Sequence, residues 1–595
     1  MIHFPTSLRG VLLCCMLVCC TLLPCNQVFA AAPEAADTAR LAPSASPEPD
    51  DAPPPLHDAD APAEPAYSEP QQQSAPPSPG ERELLASAAY AKARDLARKP
   101  YAATGGQPAF VREMSEAAWK NVRFNPDQML WKQEGLPFAV SFYHPGFLYD
   151  RGITLHVLQA GRETPVRFSP DMFIYPDEQL AARVREAAPA DASGAETETL
   201  RFAGFGLHTS LHAMPGQSLA ENPLASFLGA TFFRGVSKHS LSGVYARGLS
   251  LNTALPDGEE YPWFSEFWLI KPQRDDTSLT LYALMDSPSM TGAFRFVLTP
   301  GTSTIMDVES RLFAREALPW PQKVGLASMV SMFLFSETAP WPDRDYRPEV
   351  HNSDGLQYVD AEGAWFWSPL DNPSRLAVNA FSLASPRGFG LLQRDSAFEH
   401  YQDIEARFER RPSLWMEPRG DWGRGRLELI EIPSGEDIHD NIIAFWVPDD
   451  GNPLFSDREA AIAYRLYWIS PGSTPHGLGR VVSSRMVRPL KGDTVRFVLD
   501  FAGGALADLP AGTGLSSEII LPEGATLLNK NLIRNPVSGG WRLDADIRLP
   551  RQDNVVQSLL SSRDAASSLR FRAVLKKGEN IPDPLTETWV FDLHS

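Results

Sequence analysis

The feature that most constrains the fold is a long succession of short β-like runs that begins after Pro108. Runs such as FAVSFYH, GITLHVLQA and SLTLYALM are rich in β-branched and aromatic residues, and Gly and Pro turns separate them. This pattern predicts antiparallel strands. Because the strands follow one another without intervening helices, a sandwich or closed sheet is favoured over an α/β fold. The sequence therefore predicts an all-β protein.

The length of the chain predicts more than one folded domain. It has 595 residues, and polar residues become dense over Asp449–Arg458. Single hydrophobic cores rarely grow to this size. The strand-rich block after this stretch has about the size of an immunoglobulin-like sandwich. We predict a large N-terminal β-sandwich domain over 107–452 and a smaller immunoglobulin-like β-sandwich over 453–595.

The N-terminal part of the chain differs from the rest in composition. An apolar run extends from Val11 to Cys25, and small residues follow it. This arrangement predicts a cleaved secretory signal peptide over 1–30, and hence export. Residues 31–80 are mainly Ala, Pro, Ser and acidic, and such a composition predicts a disordered tether.

A short helical lead-in is expected over 81–106, where the sequence contains ERELLASAAYAKARDLAR. Its apolar residues fall roughly on one stripe, which Lys92 interrupts. The residues expected on this stripe are Leu85, Ala88, Ala89 and Leu96.

Composition excludes several classes of function. All five cysteines lie within the predicted signal peptide, so the exported chain is expected to have neither disulfides nor cysteine-based zinc or nucleophile sites. The formal charge is −19 and no basic block is present, which argues against a nucleic-acid partner. The sequence contains no HExxH, no GxSxG in a suitable context and no nucleotide-binding loop. We therefore predict no metal site and no cofactor.

Carboxylates beside aromatic residues remain as candidate chemistry. They occur in GEEYPWFSEFW, in LMDSPSM and in RPEVHNSDGLQYVDAEGAWFWSP. Glycoside hydrolysis uses two carboxyl groups that flank the scissile bond, and sugar faces stack on aromatic rings. The same residue types also occur as core aromatics and as turn caps, so pattern alone leaves both interpretations open. The candidate carboxylates are Glu259, Glu260, Asp286 and Asp354.

Longer stretches of the chain resemble a known family, the periplasmic glucan biosynthesis proteins (OpgG/OpgD, also MdoG/MdoD). The resemblance is carried by SFYHPGFLYDRGITLHVL, EEYPWFSEFWLIKP, YRPEVHNSDGL, PRGFGLLQRDSAFEHYQD, RPSLWMEPRGDWGRGRLELIEIP and LTETWVFDL. It implies a periplasmic location and a large β-sandwich joined to an immunoglobulin-like domain, with a glucan cleft in the larger domain. It further implies a role in making osmoregulated periplasmic glucans, which have a β-1,2-linked glucose backbone.

The resemblance leaves two functions open. One is an inverting β-1,2-glucanase, a glycoside hydrolase that trims or remodels the glucan backbone. The other is a non-catalytic carbohydrate-binding and assembly factor that works with an inner-membrane glucan synthase. In either case the expected partner is a β-glucan oligosaccharide or polysaccharide.

One position departs from the family pattern. The family motif is close to RPE(L/V)HDS(D/N)GL, and its acid is the carboxylate directly after the histidine. Asn352 stands at that position in this chain, which weakens the glucanase interpretation because an amide has no titrating proton to donate. Asp354 is the alternative acid, and Glu259, Glu260 and Asp286 are the base-side candidates. The residues expected to bind substrate are Tyr346, Arg347, His351, Asn352, Trp365 and Trp367.

Overall fold

The computed structural model describes most of the chain after the predicted tether. The described ranges are 78–103, 106–188, 200–211, 217–316, 318–339, 345–487, 492–510, 513–550, 568–578 and 584–594. The predicted signal peptide (1–30) and all but the last residues of the predicted tether (31–80) lie outside them. Within these ranges, no helix is both long enough and apolar enough to cross a membrane.

Strands make up most of the described secondary structure, and the helices are short. The helices are α1 (Pro79–Leu85), α2 (Ala88–Ala97), α3 (Ala109–Arg112), α4 (Glu116–Asn121), α5 (Glu178–Ala187) and α6 (Phe398–Tyr401). The first strands are β1 (Arg123–Phe124), β2 (Phe138–Tyr143), β3 (Thr154–Gln159), β4 (Arg162–Val166), β5 (Phe173–Ile174), β6 (Gly204–Thr209), β7 (Pro223–Leu228), β8 (Phe232–Gly235), β9 (Tyr245–Arg247), β10 (Ser250–Leu251), β11 (Trp263–Ile270), β12 (Leu279–Asp286), β13 (Met290–Thr299), β14 (Thr304–Ala314), β15 (Val324–Ser331) and β16 (Phe333–Phe335). The remaining strands are β17 (Val350–His351), β18 (Gly355–Val359), β19 (Trp365–Pro369), β20 (Ala377–Leu383), β21 (Gly388–Leu392), β22 (Ser413–Pro418), β23 (Gly425–Glu431), β24 (Ile442–Pro448), β25 (Glu459–Ile469), β26 (Arg480–Val487), β27 (Thr494–Ala502), β28 (Leu515–Ile520), β29 (Thr526–Arg534), β30 (Trp541–Arg548), β31 (Ser568–Lys577) and β32 (Thr588–His594).

Two large sheets contain most of these strands. One has ten strands, in the order β2-β6-β7-β8-β9-β15-β24-β23-β20, with β10 also paired to β15. The other has fourteen, in the order β28-β31-β32-β19-β18-β21-β22-β25-β14-β13-β12-β11-β3-β4. Most neighbouring strands in both sheets are antiparallel, as the alternating sequence pattern predicts.

Aromatic rings from the two sheets meet in a shared core. Ring centroids lie 5.0 Å apart for Phe205 and Phe267, and 5.2 Å apart for Phe227 and Phe296. Phe205 and Phe227 belong to the ten-stranded sheet, whereas Phe267 and Phe296 belong to the fourteen-stranded sheet. Side chains that point inward from two facing sheets are what define a β-sandwich. The predicted all-β sandwich architecture is confirmed.

A smaller sandwich lies near the C-terminus. The four-stranded sheet β26-β27-β30-β29 packs against β28, β31 and β32. Phe497 of β27 lies between Phe571, Trp589 and Phe591 of the opposite sheet, with centroids 5.1–5.6 Å apart. A division of seven strands into four and three is the count of a constant-type immunoglobulin sandwich.

The domain boundary predicted at 452/453 stays a prediction. The strand that follows it, β25, pairs with β14 on one side and with β22 on the other. This pairing favours a division after Ile469 rather than before Glu459.

The two N-terminal helices pack on the outer face of β12, β13 and β14. Of the predicted stripe, Ala89 is buried, Leu85 and Leu96 are half-buried and Ala88 is exposed. The buried row of α2 is Ala89, Ala93 and Ala97, whose small side chains let the helix approach the sheet closely. Lys92 lies beside this row, and its Nζ donates to both carboxylate oxygens of Glu266 at 2.7 and 2.8 Å.

Replacing Phe296 with alanine tests the sandwich core. Phe296 is fully buried and its ring contacts Phe227 and Phe233 of the facing sheet. We expect Phe296→Ala to lower the free energy of unfolding by about 3–5 kcal/mol, because it leaves a cavity that the two sheets cannot close. Val537→Ala is the control, since Val537 is 94% exposed and should change stability little. Equal denaturant midpoints for the two variants would contradict this account of the core.

Candidate functional site

Three neighbouring strands of the fourteen-stranded sheet, β19, β18 and β21, place the end of the RPEVHNSDGL stretch where their strand ends meet. β18 is antiparallel to both β19 and β21, so its first residue lies beside the last residues of those two strands. Asp354 immediately precedes β18, and its backbone N–H donates to the carbonyl of Leu392 at 2.9 Å. Its own carbonyl accepts from the N–H of Leu370 at 3.0 Å. The sheet register therefore fixes the backbone from which the Asp354 side chain projects.

The two carboxylate oxygens of Asp354 have different surroundings. Oδ2 accepts hydrogen bonds from the backbone N–H groups of Arg394 and Asp395, both at 3.0 Å. Oδ1 is buried, and within the described part of the chain it has no hydrogen-bond partner. Burial raises the pKa of Asp354 to about 6, although His351 and Arg394 oppose the rise. A carboxyl group held on one oxygen, free on the other and with a raised pKa is suited to donating a proton near neutral pH.

Close packing of Trp367 contributes to the burial beside Asp354. Trp367 is 5% exposed, and a Cβ placed on Gly355 would lie 2.1 Å from its ring. Only glycine fits there. The guanidinium of Arg394 lies over the face of the same ring, with its Cζ 3.5 Å from the ring centroid. These are the contacts of a core residue, and a stacking role for Trp367 stays a prediction.

Trp365 is also packed into this core. Its ring stacks on Trp415 at 5.4 Å between centroids and lies 4.8 Å from the ring of His476. Trp365 as a residue is half-buried, and a stacking role for it stays a prediction.

His351 connects Asp354 to a pair of glutamates. His351 is fully buried on β17, with Nε2 3.0 Å from Glu349 and Nδ1 2.9 Å from Gln393. Burial alone would lower the pKa of His351, but the hydrogen bond to Glu349, the charges of Glu349 and Asp354 and the bond to Gln393 together outweigh it, and the net pKa is raised. Burial and the neighbouring Glu349 carboxylate raise the pKa of Glu337 to about 7. Two carboxyl groups with raised pKa values, Asp354 at about 6 and Glu337 at about 7, thus interact electrostatically with one buried imidazole.

The remaining predicted binding residues differ in exposure. Tyr346 is 76% exposed, so its ring is available to a ligand. Arg347 is occupied by three carboxylates, since its guanidinium bonds Asp345, Asp403 and Asp437 at 2.7–2.8 Å. Asn352 is almost fully buried, and its backbone N–H donates to the carbonyl of Met332.

The base-side candidates form a separate cluster. Glu259 is buried and bonds Arg247 at 2.5 Å and Thr253 at 2.7 Å. Glu260 accepts from the backbone N–H and the hydroxyl of Ser289. Among the described residues, no hydrogen bond or ion pair joins either glutamate to Asp354.

Asp286 joins this second cluster through the sheet. It lies opposite Trp263 at the end of β12, and it forms a buried ion pair with Arg315. Arg315 also donates to the carbonyls of Leu96 and Lys99 at 2.6 Å. Burial raises the pKa of Asp286 to about 6 against the charge of Arg315. The pair anchors the end of α2 to the sheet, and a catalytic role for Asp286 stays a prediction.

Two groups of described residues have the ligand types and spacing that could hold a metal ion. In the first, His156, Glu163 and Glu266, the ammonium of Lys92 already supplies a cation to Glu266. The second is Glu349, Asp395 and His400, beside the Asp354 site. His400 already bonds Asp395, so neither group needs an ion to satisfy its charges. The absence of a metal stays a prediction.

Sequence reasoning missed the residues that support Asp354. Arg394 forms a bidentate ion pair with Glu587, with both N–O distances at 2.6 Å. Both residues lie within stretches that carry the family resemblance, QRDSAFEHYQD and LTETWVFDL. That position was the available signal, but nothing in either stretch indicates that the two residues meet.

Comparisons with known proteins agree with this architecture. The profile of one family, described as "Periplasmic glucan biosynthesis protein, MdoG", matches residues 86–593. Proteins named "Glucans biosynthesis protein G" from Pseudomonas paraeruginosa and Ralstonia nicotianae are each 37% identical to this chain, over 519 and 511 residues. The matches cover 84% of this chain and 91% and 94% of the relatives. A relative of the same name from Dickeya dadantii is 36% identical over 519 residues, covering 84% of this chain and 91% of the relative.

These matches confirm the resemblance found in the sequence. At the level of the family they support a role in glucan biosynthesis and a periplasmic location. The chain belongs to the MdoG family of periplasmic glucan biosynthesis proteins.

Proposed function

We propose that this protein cleaves or remodels the β-1,2-linked backbone of periplasmic glucans, with Asp354 as the proton donor. The observation that carries the proposal is the state of the Asp354 carboxyl. One oxygen is fixed by two backbone amides, the other has no hydrogen-bond partner in the described chain, and the pKa is raised to about 6. Because Oδ1 is buried, its proton would reach the glycosidic oxygen of the leaving sugar through an intervening donor such as a water molecule rather than by direct contact.

An inverting reaction also requires a base that activates water. The base stands on the opposite face of the sugar, about 6.5–9.5 Å from the acid. Glu259, Glu260 and Asp286 remain candidates, although each carboxylate is held by its own hydrogen-bond or ion-pair partners. Tyr346 supplies an exposed ring for sugar stacking. Arg347 is a candidate to donate hydrogen bonds to sugar hydroxyls, for which it would have to release one of its three carboxylate partners.

The second candidate function is a non-catalytic glucan-binding factor that works with an inner-membrane synthase. Asn352 is the observation that favours it, because an amide stands where the family's acid is expected. Under this function Asp354 is a structural residue that joins the start of β18 to the loop after β21.

Substitution of Asp354 separates the two functions. If Asp354 is the acid, Asp354→Asn should lower the rate of linear β-1,2-glucan cleavage about 100-fold or more while binding persists, because the isosteric amide keeps its shape but donates no proton. Product lengths and calorimetric binding would be measured together. Asp360→Asn is the matched control, since Asp360 follows the other end of β18 and caps the N–H of Ala364 at 2.8 Å. Full activity in Asp354→Asn would remove Asp354 from the acid role.

Substitution of Asn352 tests the second function. If the wild-type protein only binds glucan because it lacks this carboxylate, Asn352→Asp should produce cleavage that the wild-type protein does not show. Chromatography of glucan fragments after incubation would measure it. Cleavage by the wild-type protein that Asn352→Asp does not increase would show that the amide is not the limiting feature.

The pH dependence of cleavage gives a further prediction. A carboxyl whose folded-state pKa is raised to about 6 is protonated at pH 5 and ionised at pH 7. A reaction that needs the protonated form should therefore be near its maximal rate at pH 5, half-maximal near pH 6 and about tenfold slower for each further pH unit. Initial rates between pH 4.5 and 8 would measure this limb. A rate that stays constant over that range would contradict the assignment.

A further inference from the structure

We propose that Glu587, close to the C-terminus, is a positioning residue for Asp354, so that the smaller sandwich completes the glucan site of the larger one. The inference rests on the proposed function, because it assigns a role relative to the candidate acid. It concerns a residue that neither touches Asp354 nor lies in the RPEVHNSDGL stretch.

Glu587 is a fully buried carboxylate whose two oxygens are both occupied. Oε1 accepts from Arg394 at 2.6 Å and from the backbone N–H of Val481 at 2.9 Å. Oε2 accepts from Arg394 at 2.6 Å and from Gln357 at 3.0 Å, and it lies 3.0 Å from Nε2 of His476. Burial alone would raise the pKa of Glu587, but Arg394 and His476 lower it to about 2. The residue is therefore ionised wherever the protein is folded near neutral pH.

Arg394 transmits this anchor to Asp354. Its guanidinium is fixed by the bidentate pair with Glu587, by Gln357 and by the face of Trp367. A planar fork held in this way has little rotational freedom. The backbone N–H of the same residue, together with that of Asp395, holds Oδ2 of Asp354. Arg394 thus takes part both in the buried ion pair, through its side chain, and in the hydrogen bonds that orient the candidate acid, through its backbone.

The ion pair also sets the charge around Asp354. The charges that act on Asp354 are those of His351 from β17 and of Arg394 from the loop after β21, and Asp354 in turn raises the pKa of Tyr401 from α6. The groups that face Glu587 are Arg394 and His476, with the neutral Gln357. The Arg394 charge favours the ionised form of Asp354. We expect the Glu587 charge to offset it, because both carboxylate oxygens lie 2.6 Å from the guanidinium nitrogens. Loss of the Glu587 charge should therefore favour ionisation of Asp354 and deplete the proton that it donates.

The first test is Glu587→Gln in the full-length exported protein. We expect the alkaline limb of the pH–rate profile for β-1,2-glucan cleavage to move to a pH about one unit lower, because the Glu587 charge no longer compensates the Arg394 charge. The matched control is Asp592→Asn on β32, the strand that Glu587 directly precedes, which removes the buried carboxylate of another ion pair, that with the half-buried Arg570. It should lower stability and leave the limb in place. A folded Glu587→Gln protein whose limb does not move would overturn the inference, even if its rate were lower.

A double variant guards against misfolding of the single one. Arg394→Met combined with Glu587→Gln removes both charges, and replacing a buried ion pair with neutral residues of similar volume is often neutral or stabilising. With Arg394 uncharged, the limb should return to the wild-type position or lie above it. A limb below the wild-type position in the double variant would also overturn the inference.

A measurement without glucan separates this inference from the proposed function. Since the folded-state pKa of Asp354 is raised, its ionisation destabilises the fold as pH rises from about 4 to 6. The unfolding free energy of the Asp354→Asn protein minus that of the protein with Asp354 should therefore grow over that range. This growth should be smaller in the Glu587→Gln background, and equal growth in both backgrounds counts against the positioning role. If Asp354→Asn leaves cleavage unchanged, the proposed function fails, while this stability comparison still decides the influence of Glu587.

Discussion

The parallel pairing of β19 with β32 is the contact on which the architecture depends. Phe366 pairs with Thr588 and Trp367 with Trp589, and this short ladder joins the strands of the smaller sandwich to the fourteen-stranded sheet. Parallel pairs need long connections between their strands, and here the intervening chain is most of the C-terminal half. Glu587 directly precedes the ladder, so the pairing that makes the sheet continuous also delivers the carboxylate that holds Arg394.

Local patterns made the class of fold predictable, whereas the long-range pairings were not. Alternation within strands is a local property, so the all-β sandwich could be predicted from segments such as SLTLYALM. Which strands pair depends on surfaces far apart in the chain. β25 follows the stretch that seemed to end the first domain, yet it lies between β14 and β22.

The candidate site was predictable only in part for the same reason. Asp354 and His351 could be named because one motif contains both. Glu587 and Arg394 are 193 positions apart, and no periodicity relates them. The aromatic residues show the converse limit. Trp367 has the residue type of a sugar platform, but whether its faces are free depends on Gly355 and Arg394, which only the packing reveals.

The tight contact between Gly355 and Trp367 has a consequence for how such a site can evolve. A side chain at 355 would collide with the ring, so a substitution at this position requires Trp367 to move. Position 352 is different, because asparagine and aspartate are nearly the same size and their codons differ by a single nucleotide. An aspartate at 352 would keep the shape of the side chain, but it would place a carboxyl group where the residue is only 1% exposed, so its pKa would be raised. The packing at 355 thus restricts the residue type to glycine, whereas the chemical group at 352 can change without a change in side-chain size.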